Sequence, residues 1–216
     1  MRPVKLTHWP MFGLTLRTPR LELRLPDLAE LHALAELAAD GVHDPGTMPF
    51  MTAWTDGTPE ERARNAMQYH WRQLAEWTPR KWCLDLVVFL DGRVVGTQGV
   101  SAAEFAVVRE VGTGSWLGRR HQGRGIGTEM RAAVLELAFA GLGAETAAST
   151  AFVDNPASLA VSKKLGYEPN GVDRVRVHDE IRRDQRLLLD RAGWERHRTV
   201  DVEIAGLEPC LPLFGL

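Results

Sequence analysis

The chain has 216 residues, 44% of them hydrophobic and 25% charged, a make-up that suits one large globular core or two small ones. A formal net charge of −2 excludes the broad positive field that gathers nucleic acid. No apolar run approaches the roughly 20 residues of a membrane span, and no Cys/His cluster has zinc spacing, so neither a membrane partner nor a metal is expected.

Cys83 and Cys210 stand far apart, and no apolar segment opens the chain, a pattern that predicts a soluble protein of the reducing cytoplasm rather than a disulfide-framed secreted one. The cations are lopsided, with four lysines against 22 arginines. Arginine offers planar forks for phosphate and carboxylate, although genomic base composition produces the same bias.

In chain order, Leu21 to Leu25 alternates at period two and predicts a half-buried strand closed by Pro26. Asp27 and Glu30 form an acidic capping box for a helix whose apolar positions are Leu28, Leu31, Leu34, Ala35 and Ala38, with Gly41 placed to end it. Val42 to Gly57 is a loop with more large apolar residues than a connector needs, Phe50 and Trp54 among them, and fits either a substrate wall or a lid on the core. Thr58-Pro59-Glu60-Glu61 caps a second helix with Met67, Trp71 and Leu74 inward, which runs until Pro79.

Trp82 to Leu90, Asp91-Gly92 and Arg93 to Val100 read as strand, type I′ turn and returning strand. A strand over Glu110 to Leu117, a helix over Thr128 to Leu142, a strand over Thr146 to Val153 and a short helix from Asn155-Pro156 to near Gly166 follow. In that helix over Thr128 to Leu142, Met130, Ala133, Val134 and Leu137 face inward. Strands are expected at Val172 to Val177 and Arg186 to Leu189, and the tail from Val200 supplies an edge strand or a contact with another subunit. This order describes an α+β chain with a mixed, mostly antiparallel central sheet flanked by helices.

The most informative stretch lies between a strand and a helix: Trp116-Leu117-Gly118-Arg119-Arg120-His121-Gln122-Gly123-Arg124-Gly125-Ile126-Gly127-Thr128. A dinucleotide fingerprint needs G-x-G-x-x-G, but the last slot falls on Thr128 or Met130. A P-loop needs a lysine where Arg124 stands. What remains, Gln122-x-x-Gly125-x-Gly127, allows successive backbone amides to face one anion at a helix N-terminus, and a pyrophosphate would fit. A tight strand-to-helix turn is the bland alternative, but three glycines in five residues cost backbone entropy that something must offset.

Gln122-Gly123-Arg124-Gly125-Ile126-Gly127 after Gly114-Ser115-Trp116-Leu117 resembles the acyl-CoA-binding motif of GNAT N-acyltransferases. Asp154-Asn155-Pro156-Ala157-Ser158, followed by Lys164-Leu165-Gly166-Tyr167, resembles the second half of that signature. Within the family, Asn-x-x-Ser and the opening Thr18-Pro19-Arg20-Leu21 resemble the ribosomal-protein N-terminal acetyltransferase branch. More narrowly, His43-Asp44-Pro45, Met48-Pro49-Phe50 and the ending from Trp194 to Val200 are similar to a mycobacterial succinyl-CoA-dependent member. The resemblance implies a single GNAT domain over 1–216. Its N-terminal half spans about 12–100, its acyl-CoA-binding core about 107–177, and its last strand and tail about 186–216. It also implies acyl-CoA (succinyl-CoA or acetyl-CoA) as co-substrate, an amine acceptor on a protein or small molecule, and a homo-oligomer.

GNAT enzymes are known for direct attack of an amine on the thioester, so the resemblance implies no covalent nucleophile. It implies that Trp116, Leu117, Gly118, Gln122, Gly123, Arg124, Gly125, Ile126, Gly127, Thr128, Asn155 and Ser158 hold the donor, with a backbone amide near Leu117 receiving the oxyanion. Many members use a tyrosine seven residues after the asparagine as proton donor to the thiolate; that position is Ser162 here, which moves the role to Ser158, with Asn155 beside it. The ribosomal branch's catalytic glutamate is replaced by Val177, leaving His178, Glu104 or a water chain as base. A succinyl donor would need a cation, for which Arg174 and Arg176 are candidates, while Phe50 and Trp54 suit the acyl pocket. A CoA-binding sensor and a small-molecule or antibiotic acetyltransferase remain the rival readings.

Overall fold

The computed structural model describes residues 6–216. Nine strands form one sheet. In chain order they are β1 (Thr15–Arg17), β2 (Leu21–Arg24), β3 (Lys81–Leu90), β4 (Arg93–Ala103), β5 (Glu110–Leu117), β6 (Thr146–Phe152), β7 (Glu168–Val177), β8 (Glu180–Asp190) and β9 (Glu203–Ala205). Their spatial order is β7-β8-β6-β5-β4-β3-β2-β1-β9. Every neighbouring pair is antiparallel except β5 and β6, so the mixed, mostly antiparallel sheet is as expected.

The helices are α1 (Leu28–Asp40), α2 (Pro59–Ala75), α3 (Phe105–Val108), α4 (Ile126–Glu136), α5 (Pro156–Lys164) and α6 (Arg191–His197). Both capping boxes form. The Asp27 carboxylate accepts from the Glu30 amide at 2.8 Å while Glu30 accepts from the Asp27 amide at 2.9 Å, and Thr58 and Glu61 repeat the exchange. On one face of the sheet, α1 and α2 cover Val87 and Phe89 of β3, the alternate residues that share a side of the pleat. On the other, Ile126, Met130, Ala133 and Val134 of α4 pack with Leu84, Leu86 and Val88. Leu28 and Trp71, read as inward, are exposed: Leu28 lies at the first turn beyond the sheet, and α2 instead buries Ala66 and His70.

Four boundaries differ from expectation. The helix expected to run until Pro79 stops at Ala75. The helix read as Thr128 to Leu142 begins two residues earlier, because Gly125 adopts φ +77° and lets the chain enter the helix at Ile126. It ends in a π turn over Leu137–Gly141, where a Cβ on Gly141 would press against Leu207 at 2.9 Å. The strands read as Val172 to Val177 and Arg186 to Leu189 are parts of one long hairpin, β7–β8, turning at His178-Asp179. The missed part of β7 is polar and exposed, and is a strand only because β8 supplies its ladder. Of the two options for the tail, the edge strand is realised: β9 pairs with β1, and Cys210 and Phe214 are buried beyond it. Among the described residues, no helix is long and apolar enough to cross a membrane, and no cluster of acidic, histidine and cysteine side chains is suited to a metal.

Candidate active site

The parallel pair β5–β6 is short. Its register runs only from Glu110 opposite Thr146 to Gly112 opposite Ala148, after which the strands part. Thr113 to Leu117 stay paired to β4 but have no strand partner on the β6 side, which opens a cleft in the middle of the sheet. Beyond Leu117 the chain enters the glycine loop and then α4, so the cleft leads directly to a helix N-terminus.

In that loop Gly123 and Gly125 have φ of +72° and +77°, a region where side chains are strained. Among the described residues, the amides of Gly123, Arg124, Gly125, Ile126 and Gly127 find no acceptor. Five successive donors at the positive end of a helix suit an anion. Gln122 does not join them: its Nε2 donates to the carbonyls of Val42 at 2.8 Å and Leu117 at 3.0 Å, tying the loop to the end of β5. Ile126 faces the core, and a Cβ on Gly127 would meet Val161 and Leu117 only at ordinary contact distance, 3.7 and 3.8 Å. The amides of Thr128 and Glu129 are already bonded to the Gly125 carbonyl. Gly118 serves packing, since a Cβ there would run into Leu37 of α1.

Of the cations beside the loop, Arg119 and Arg120 face Asp44 and Asp40, whereas Arg124 is exposed and has no ion pair among the described residues. Sequence reading noted Arg20 in a motif but missed its place. From the β1–β2 turn Arg20 donates to Glu129 at 2.6 Å and to the Arg124 carbonyl at 3.3 Å. Glu129 also accepts from Thr18 Oγ1 at 2.6 Å and the Arg20 amide at 3.2 Å, so one buried carboxylate fastens the turn to the loop. No sequence pattern links positions 109 apart. His121, partly buried beside Arg120 and Arg124, has its pKa lowered first by burial and then by those charges.

Asn155 caps α5: its Oδ1 accepts from the Ser158 amide at 3.1 Å. Ser158 is partly buried in the first turn of α5. One turn further on, Ser162 is fully buried and accepts from Arg131 of α4 at 2.9 Å.

Trp116 points to the opposite face, against the α1 side, and continues an array in which Trp54, Phe50 and His43 follow at centroid separations of 5.5, 5.3 and 6.0 Å. The apolar loop is therefore packed on β5, as the reading of it as a lid on the core expects. It is also held from the far side: Arg182, fixed by the Asp154 carboxylate at 2.9 and 3.0 Å and lying 4.5 Å over the Phe152 ring, donates to the Met48 carbonyl of the loop at 3.5 Å, and His178 Nε2 lies 2.7 Å from Asp56 Oδ2. His178, a candidate base just past the expected strand, is a turn residue with φ +52°. Glu104 is exposed and accepts from Arg80 at 2.8 Å. Arg176 is turned back onto the His178 carbonyl and Asp179, and Arg174 is exposed on the edge strand, so the structure does not bring these arginines to the cleft.

Residues 20–168 match the family model described as an acetyltransferase (GNAT) domain. Among solved structures, RimJ of Mycobacterium smegmatis, in complex with CoA-disulfide, is 18% identical with a TM-score of 0.69, over 94% of this chain and 95% of that one. RimL, a ribosomal L7/L12 α-N-protein acetyltransferase solved with coenzyme A, is 17% identical with a TM-score of 0.61, over 80% and 95%. A GCN5-related N-acetyltransferase from Brucella melitensis is 18% identical with a TM-score of 0.66, over 85% and 81%. At such identities the structures speak for the fold, while the family match spans more than half of the chain. The protein thus belongs to the GNAT family of acyl-CoA N-acyltransferases and has its fold.

Proposed function

We propose that this protein transfers an acyl group, acetyl or succinyl, from CoA to a primary amine at a protein N-terminus or on a lysine, as one catalytic domain over 1–216. The observation that carries this reading is the run of five unpartnered amides at Gly123 to Gly127, with Arg124 beside it: a diphosphate would satisfy them. Likeness to RimJ and RimL supports a protein amine as acceptor.

In this reading the pantetheine arm lies along the free edge of β5 and the thioester reaches the cleft. The neutral amine attacks the carbonyl carbon and a C–N bond forms. The oxyanion is held by a backbone amide near Leu117. Collapse then breaks the C–S bond, and the electron pair leaves on sulfur. Ser158 passes a proton to that sulfur, its place fixed by the cap that Asn155 provides. An α-amine of pKa about 7.8 is readily neutral before attack, and the proton that the nitrogen sheds on collapse passes through water to restore Ser158. With Nε2 engaged by Asp56, we give His178 the task of holding the loop over the acyl group.

Acetyl-CoA and succinyl-CoA should be offered separately to peptides with free and blocked N-termini, with mass spectrometry of the products. Acylation of the free peptides supports the reading and names the donor. Tight CoA binding with no transfer to any amine would leave a sensor instead.

A further inference from the structure

Arg131, in the middle of α4, is used by nothing described so far. It is 5% exposed, yet no carboxylate pairs with it among the described residues. Arg20, Arg24, Arg182 and Arg198 each have one. Its guanidinium donates to Ser162 Oγ at 2.9 Å and reaches Ser115 Oγ at 3.5 Å, and Nε has no partner. Burial pulls its pKa down, but a guanidinium remains charged. Tyr167, buried nearby, is held neutral by the same burial and donates no negative charge. An uncompensated buried cation is costly, so its presence implies an anion that arrives with a ligand.

The position indicates which anion. Ser115 lies on the stretch of β5 that has lost β6, and Arg131 follows Gly127 by one turn of α4. Ser162 follows Ser158 by one turn of α5, on the same face. The guanidinium is therefore at the floor of the cleft whose mouth is the glycine loop, within a turn of the serine given the thiolate. We propose that Arg131, oriented by Ser162, stabilises the CoA thiolate as it leaves. This role rests on the transfer reading above. When the C–S bond breaks, the pair on sulfur faces a fixed positive charge, and the serine proton can follow afterwards.

A purely structural arginine would not change the acidity of a bound thiol, so the test is a pH titration of CoA bound to the intact protein, read by thiolate absorbance. Bound CoA should titrate at least about one unit below the value for free CoA in the same buffer. Arg131→Met should return it toward that value, and Arg131→Lys should retain part of the shift. A wild-type complex in which CoA titrates as free CoA does would overturn the proposal, even if Arg131→Met failed to fold. So would a benefit from Arg131 seen only with donors bearing a terminal carboxylate, which would assign the charge to the acyl chain. Absence of saturable CoA binding would instead defeat the transfer reading itself.

Discussion

Replacing Gly125 with glutamate tests the phosphate loop most directly. At φ +77° any Cβ brings strain of about 1–2 kcal/mol, and the site is otherwise open, its nearest neighbour being Arg20 Nη2 at 3.5 Å. Alanine at this position measures that strain alone: a folded protein melting a few degrees lower, with CoA affinity changed little. Glutamate adds a charge beside the diphosphate. At about 5 Å and an effective dielectric of about 40, each like-charge pair costs about 1.7 kcal/mol, so two phosphate charges cost about 3 kcal/mol, roughly a hundredfold in affinity. Calorimetry with CoA on both variants, each checked by thermal unfolding, separates the two terms. If the folded Gly125→Glu protein binds CoA as well as Gly125→Ala does, the loop does not hold the diphosphate.

Glu129→Ala removes the carboxylate that Thr18, the Arg20 amide and the Arg20 side chain share, and should lower stability by about 2–3 kcal/mol, or about 5–10 °C in Tm; an unchanged melt would mean that the clamp is idle. Ser158→Ala should reduce kcat about 10- to 100-fold with little change in donor binding, because only a proton transfer is lost; equal rates would remove Ser158 from the mechanism. Cys83 and Cys210 are pushed up to about 12 and about 11, in each case chiefly by burial, so both stay protonated in the native state while an unfolded thiol ionises near 8.5. Their contribution to stability is full below about pH 8.5 and is lost as pH rises toward 11–12, and native protein should resist alkylation at pH 8; rapid modification there would contradict the burial.

Local chemistry in the sequence determined much of this protein. Asp27 with Glu30 and Thr58 with Glu61 start their helices by hydrogen bonds three residues apart, and Asp91-Gly92 closes its hairpin with two left-handed residues, so a linear pattern suffices. The glycines at 123 and 125 were legible for the same reason: the positive φ that each adopts is written in the residue type. Resemblance to a known family placed Asn155 and Ser158, whose capping bond also spans three residues.

Tertiary structure decided what depends on partners distant in the chain. The polar strand β7 exists through its ladder to β8, and Trp71 faces solvent because α2 turns His70 to the sheet. His178 finds Asp56 across 122 positions, Arg20 finds Glu129 across 109, and Arg131, without a carboxylate partner among the described residues, is buried because α5 and β5 close over it. An arginine in a helix reads as surface from sequence; whether it lacks a counter-ion depends on what packs against it. The sequence by itself thus determined the glycine loop, through backbone conformation. The charges that serve the loop and the cleft were set by long-range packing, because electrostatic partners follow distance in space rather than spacing along the chain.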